Sequence, residues 1–160
     1  MYKRQLFLDD VITQGAPPAG FPTSSVNGQV FDWGMDPQVV NANPQAVRDA
    51  LTAIPSLSLV TDTDHLFDPA TGIYVNAQRD GIEWERPGSV ELIDPSGAEP
   101  GFDANAGIRI RGGYSRRAGN PKHSFRLFFR ADYGDAKLHY PLFGDEGADC
   151  LLYTSPSPRD

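Results

Sequence analysis

"GIRIRGGYSRRAGNPKHSFRLFFR", residues 107–130, decides how this chain is read. Side chains alternate between the two faces of a strand. Ile108 and Ile110 therefore share one face, with Arg109 and Arg111 on the other. In the second run Phe125, Leu127 and Phe129 fall together, opposite Lys122, Ser124, Arg126 and Arg130. Pairing the two runs predicts a hairpin with an apolar face toward a core and a row of cations on the reverse. The connection, Gly112–Pro121, supplies Gly112, Gly113, Gly119, Ser115, Arg116 and Arg117.

Like charges side by side on a sheet cost roughly 0.2–1 kcal/mol per pair. An anion between them offsets that cost. Glycine-rich loops let backbone N–H groups approach phosphate oxygens, and Arg or Lys adds charge-assisted hydrogen bonds. Strand, glycine loop, strand with a lysine on the second strand is also the arrangement by which protein kinases cover ATP phosphates. The plainer reading is a solvated face whose arginines pair with nearby acids.

The composition of the whole chain sharpens the contrast. It carries 14 basic and 21 acidic residues, a formal charge of −7. Yet Arg109, Arg111, Arg116, Arg117, Lys122, Arg126, Arg130 and Lys137 lie close together, opposed within that span only by Asp132 and Asp135. Overall acidity argues against general nucleic-acid binding, and a concentrated basic segment points to one defined anion site. No apolar run approaches the roughly 20 residues that a membrane span needs.

Outward from the hairpin, short apolar runs between Gly, Pro and Asp turns predict an α+β fold, mainly an antiparallel sheet with one early helix. "SLSLVTD" (56–62) and "SVELID" (89–94) read as strands, and "AKLHYPLF" (136–143) as the start of another. "NPQAVRDALTAIP" (43–55) reads as a helix, with Asn43 as cap, Pro44 in the first turn and Pro55 as stop. "LFLDDVI" (6–12) reads as the last strand of an upstream domain, and residues 13–42 as a linker. Asp62, Asp64 and Asp68 are candidate metal ligands, but acids in a loop are ordinarily solvated. Glu83 and Glu85 read as flanking an anchoring Trp84. The histidines lack zinc spacing.

The two ends read differently. "MYKRQ" (1–5) and "CLLYTSPSPRD" (150–160) both match translations of a transposase adapter used to prepare short-read sequencing libraries. They are expected to be adapter residues, so Cys150 carries no redox information and the intervening piece is expected to be truncated at both ends.

The motifs "IRIRGGYSR", "PKHSFRLFF" and "KLHYPLFGD", with "LFDPATGIYVN" and "VELIDPSG" before them, resemble the spore-coat CotH kinase family over about residues 54–149. "LFLDDVI" resembles the end of a β-sandwich domain of the chitobiase C-terminal type. The resemblance implies that residues 43–149 are the N-terminal part of an atypical kinase-like fold. It implies transfer of the ATP γ-phosphoryl group to Ser/Thr of protein substrates with a divalent metal such as Mg, in a secreted or cell-surface bacterial protein. It places Gly112, Gly113, Ser115 and Arg116 in a phosphate loop and Lys122 and Arg126 on the following strand as phosphate contacts. His123 stands where many relatives carry a second lysine. The metal-binding and catalytic carboxylates of the family lie further downstream, so this polypeptide alone is expected to be inactive. The alternative is a non-catalytic surface module whose basic face binds an anionic polymer or protein partner.

Overall fold

The computed structural model describes residues 7–97, 100–142 and 150–151. The chain is α+β, built on one four-stranded antiparallel sheet. Strand β1 is Ser56–Val60, β2 Arg86–Ile93, β3 Asp103–Arg111 and β4 Ser124–Phe128, and they lie side by side in that order. Each is antiparallel to its neighbour, so short returns suffice and no crossover helix is needed.

The hairpin forms with the two faces that alternation predicts, and the structure supplies its register. Ile108 lies opposite Leu127, Arg109 opposite Arg126, and Ile110 opposite Phe125. The apolar face buries Ile108 and Ile110 with Ile73 and Ala77, then continues through Val90, Ala106, Phe129 and Leu138. Phe129 is buried as expected, though it lies one residue past the end of β4. Ile73 and Ala77 come from the loop after a short helix at Thr63–Phe67, a stretch that reads as a turn-rich loop in sequence. Asp62 caps that helix by accepting from the Asp64 N–H. Asp68 closes the next turn, accepting from the N–H groups of Ala70 and Thr71 and from Thr71 Oγ1. The Asp62 and Asp68 carboxylates are therefore engaged in local turns, Asp64 gives its backbone N–H to the first of them, and among the described residues the three do not gather around a shared centre.

The expected helix runs from Pro44 to Ala53, with Asn43 Oδ1 accepting from the Ala46 N–H at 3.1 Å. It buries no residue fully, and Val47 and Leu51 are only half-covered. It packs on two shorter helices, Leu8–Thr13 and Pro37–Ala42, rather than on the sheet.

The first of those helices corrects the sequence reading, which expects residues 6–12 to be a strand. Asp9 and Asp10 sit in its first turn, where the helix dipole favours acids, Ile12 is buried, and Arg48 reaches Asp9 at 2.6 Å. Among the described residues the segment packs on a helix and pairs with no strand. Residues 13–42 also depart from a free linker. Pro37–Ala42 is helical, and residues 26–33 fold back over the β3–β4 connection, where Gln29 is 1% exposed. Phe31 and Trp33 join Phe21, Phe67 and Tyr74 in a ring cluster that supplies the missing apolar cover.

His139–Tyr140 forms a short strand, as expected from residues 136–143, and pairs through the backbone with Cys150–Leu151. The remainder of the two stretches expected to be adapter, and Phe143 to Asp149, lie outside the described residues.

Candidate anion site

The reverse face of β3 and β4 is where the cations gather. Arg109 and Arg126 are direct cross-strand partners. Phe128 shares their face and is buried beneath them, with the guanidinium carbons of Arg109, Arg126 and Arg130 at 4.3, 4.9 and 5.0 Å from its ring centre. The electron-rich ring face attracts cations, which offsets part of their mutual repulsion.

A carboxylate does the rest. Glu85 immediately precedes β2, and its side chain is 2% exposed. It accepts from Arg109 Nε at 2.8 Å, from Arg130 Nε at 3.1 Å and from the Tyr133 hydroxyl at 3.0 Å. Both arginines are gripped by their Nε edge, which leaves their terminal nitrogens for other partners. Burial, then the bond to Glu85, holds the Tyr133 phenol above its ordinary value, so it stays a donor. Gly107 makes room for this arrangement. It lies on the same face, opposite Phe128, and a Cβ there would run into the Glu85 carboxylate.

Beyond Arg109 the strand runs into the glycine loop. Gly112 has φ +122°, a region open to glycine, and a side chain there would also meet Ser115 Oγ. Gly113 has open space around it. Arg116 is fixed by donating to the carbonyls of Ala77 at 2.6 Å and Arg79 at 2.7 Å, with Asp80 at 3.7 Å. That clamp ties the loop to the segment that carries Ile73 and Ala77 into the core.

An open cavity of about 400 Å³ results, lined by Arg109, Arg111, Arg116, Arg126, Gly112, Gly113 and Asp80 with Phe128 as floor. Arg111 and Arg126 are exposed, and neither has an acidic partner among the described residues. The cavity is therefore a place where cations outnumber the acids that could neutralise them.

The structure thus brings together Gly112, Gly113, Arg116 and Arg126 of the residues singled out in sequence. Ser115 lies in the tight turn Tyr114–Arg116 of the loop but not on the cavity wall, its carbonyl accepting from Asn120 and facing His123. Lys122 is elsewhere. It precedes β4, its ammonium pairs with Asp32 at 3.5 Å, and it borders a different cavity beside Trp33 and Met35. Arg109, Arg111, Glu85, Phe128 and Asp80 complete the site. Alternation already placed Arg109 and Arg111 on this face. Glu85 carried no comparable signal, because its role depends on β2 lying beside β3.

Asp80 is the carboxylate on the cavity wall, and among the described residues no group of three His, Cys, Asp or Glu is placed to hold a metal ion. The donor set here suits an anion, not a divalent cation. No described helix is long and apolar enough to cross a membrane.

Fold and face together define an α+β domain with a basic, carboxylate-braced sheet surface. No family model, curated protein or solved structure matches this chain.

Proposed function

We propose that this face binds the phosphate groups of a nucleotide, as the N-terminal, phosphate-holding part of a CotH-type protein kinase that passes the ATP γ-phosphoryl group to protein Ser/Thr. The observation that carries the reading is the pair Arg111 and Arg126, exposed and without acid partners among the described residues, beside the open backbone of Gly112 and Gly113. Arg109 adds terminal donors in a plane set by Glu85. Arg116 serves chiefly to hold the loop, since its Nε and one terminal nitrogen already bond carbonyls. Lys122 is left out of the proposed contacts, because it lies beside Asp32.

In this role the chain binds and orients phosphate without itself moving a proton or a phosphoryl group. Divalent-metal chemistry and the acceptor's base are assigned to residues beyond this cavity, and this polypeptide is proposed to be inactive by itself. A protein substrate with Ser/Thr acceptors, and a secreted or cell-surface bacterial setting for the protein itself, are part of the same proposal.

A second reading follows from the position of β4 at the sheet edge. The basic face runs out into solvent there, so an anionic polymer could lie along it. Calorimetric titration with ATP and with a long polyanion separates the two. The nucleotide reading expects ATP affinity to drop about tenfold or more in Arg126→Ala and in Arg111→Ala, the loss of one charge-assisted contact each. It expects Lys122→Ala to be nearly unchanged. Unaltered ATP affinity in both arginine variants, or ATP binding abolished by Lys122→Ala alone, overturns it. Tight polyanion binding with no measurable ATP binding selects the polymer.

A further inference from the structure

We infer that His123 is a doubly protonated latch that clips residues 26–33 to the glycine loop and opens as pH rises. The inference does not depend on what the basic face binds.

The argument starts at Gln29. Its amide Nε2 donates to the carbonyls of Val30 at 2.8 Å and Asn120 at 2.9 Å. Carbonyl oxygens only accept, so this end of the amide must be the NH2 group. The other end, Oε1, is then an acceptor without ambiguity, and it lies 2.8 Å from His123 Nε2. That ring nitrogen must carry a proton. On the far side of the ring, Nδ1 lies 2.7 Å from the Ser115 carbonyl oxygen, again an acceptor only. That nitrogen must carry a proton too. Only the imidazolium has both.

A neutral ring fails in either tautomer. One nitrogen lone pair would face an oxygen lone pair at hydrogen-bond distance, in a place where water cannot easily substitute. His123 is 8% exposed. By contrast His65 has one bonded nitrogen, facing the Thr61 hydroxyl, and a neutral tautomer satisfies it.

The groups around the ring suit a cation without neutralising it. No described carboxylate bonds to the ring. The Tyr74 ring lies 4.7 Å away, and its hydroxyl donates to the Pro121 carbonyl and accepts from the His123 backbone N–H. Burial raises the Tyr74 phenol above its ordinary value, so it remains neutral across the range in which imidazole titrates. Lys122 and Asp32 form their own exposed pair nearby. Arg116 is committed to carbonyls and Asp80, and Arg117 stacks over Tyr114 at 4.5 Å. The charge therefore rests on two carbonyl dipoles and one aromatic face.

The latch joins two parts of the chain 94 residues apart in sequence. Gln29 Nε2 also holds the Val30 carbonyl, and the N–H of the same residue donates to the Ala118 carbonyl at 2.9 Å. Losing a proton from His123 removes one of the bonds that hold this strap over the loop.

Nitrogen-15 NMR of the His123 ring, read with hydrogen exchange at Val30, tests the latch in the intact chain. The expected result at pH 5.5 is protons on both ring nitrogens and a protected Val30 amide. Toward pH 8 the ring loses one proton, and Val30 exchange accelerates about tenfold beyond the intrinsic pH effect, one buried hydrogen bond's worth. Gln29→Glu, which places a carboxylate against the ring, should move the ring's transition to higher pH. His123→Gln should flatten the Val30 profile. A ring that is singly protonated from pH 5.5 upward while Val30 stays protected overturns the inference. So does a Val30 profile in His123→Gln identical to that of the parent chain.

Discussion

The two faces of β3 and β4 are made from the same two short runs of sequence, and they are held together by different physics. On the core face Ile108, Ile110, Leu127 and Phe125 meet, and their contacts are non-directional. Any apolar side chain of similar volume would serve. On the reverse face Arg109 and Arg126 stand opposite one another, a pairing that is unfavourable by itself. It becomes tolerable through two partners of definite geometry, the Phe128 ring below and Glu85 alongside. One face is robust and carries stability. The other is specific and leaves two arginines without an acid partner among the described residues.

The sharpest way to break the comparison is at the core. Ile108 is 1% exposed and touches both the loop segment and the partner strand. Ile108→Ala is expected to cost about 3–4 kcal/mol in urea unfolding, the removed methyls plus the cavity they leave. A cost below about 1 kcal/mol would mean that this face is not the core.

Glu85→Gln comes next. It leaves Arg109 and Arg130 facing an amide that cannot accept from both as a carboxylate does. The expected loss is about 2–3 kcal/mol, since both arginines are largely covered. The same variant sharpens the functional side. If Glu85 acted only as a counter-charge, removing it would tighten anion binding. Holding two guanidinium planes in place, it should weaken binding when lost, and titration with ATP distinguishes the two signs.

Arg126→Ala should separate the faces most cleanly. Arg126 makes its ring contact with Phe128 and has no acid partner among the described residues. Stability should change by less than about 1 kcal/mol, because the lost ring contact is balanced by relief of repulsion from Arg109. Anion affinity should fall about tenfold. A large loss of stability with unchanged affinity would invert the assignment.

The smallest effect lies away from both faces. Hydrogen bonds from the Thr71 N–H and hydroxyl, and then from the Ala70 N–H, hold the Asp68 carboxyl below its ordinary 3.8. A carboxylate lowered in the folded state contributes stability that is complete at neutral pH and is lost as pH falls through the lowered value. Asp68→Asn should therefore lower the neutral-pH melting point slightly and flatten a shallow part of the acid-unfolding curve below about pH 4, so that variant and parent converge in acid. A steeper acid limb in the variant would contradict the assignment.

Much of this architecture is legible in the chain because alternation with period two is a local property. It places Ile108, Ile110, Phe125 and Leu127 together whatever the partner, and turn chemistry at Asn43 and Asp68 is equally local. The helix at Leu8–Thr13 is not, because a six-residue run of mixed apolar and acidic residues has no period long enough to choose its own state. Its neighbour at Pro44–Ala53 chooses for it. Residues 13–29 are rich enough in Gly, Pro, Ser and Asn to read as a linker, and what seats their end lies far along the chain: the partners of the Gln29 amide, with the ring cluster that takes Phe31 and Trp33 just beyond.

The candidate site divides along the same line. By itself the sequence determined that arginines and glycines would collect on one face and one loop of a hairpin. Tertiary structure decided which of them remain available. It placed Glu85 between Arg109 and Arg130, spent Arg116 on carbonyls, turned Lys122 toward Asp32 and left Arg111 and Arg126 open. The reason is one of range. Which face a side chain takes is settled by its immediate neighbours, whereas whether its charge is neutralised depends on what the fold brings within about 4 Å, and that can come from anywhere in the chain.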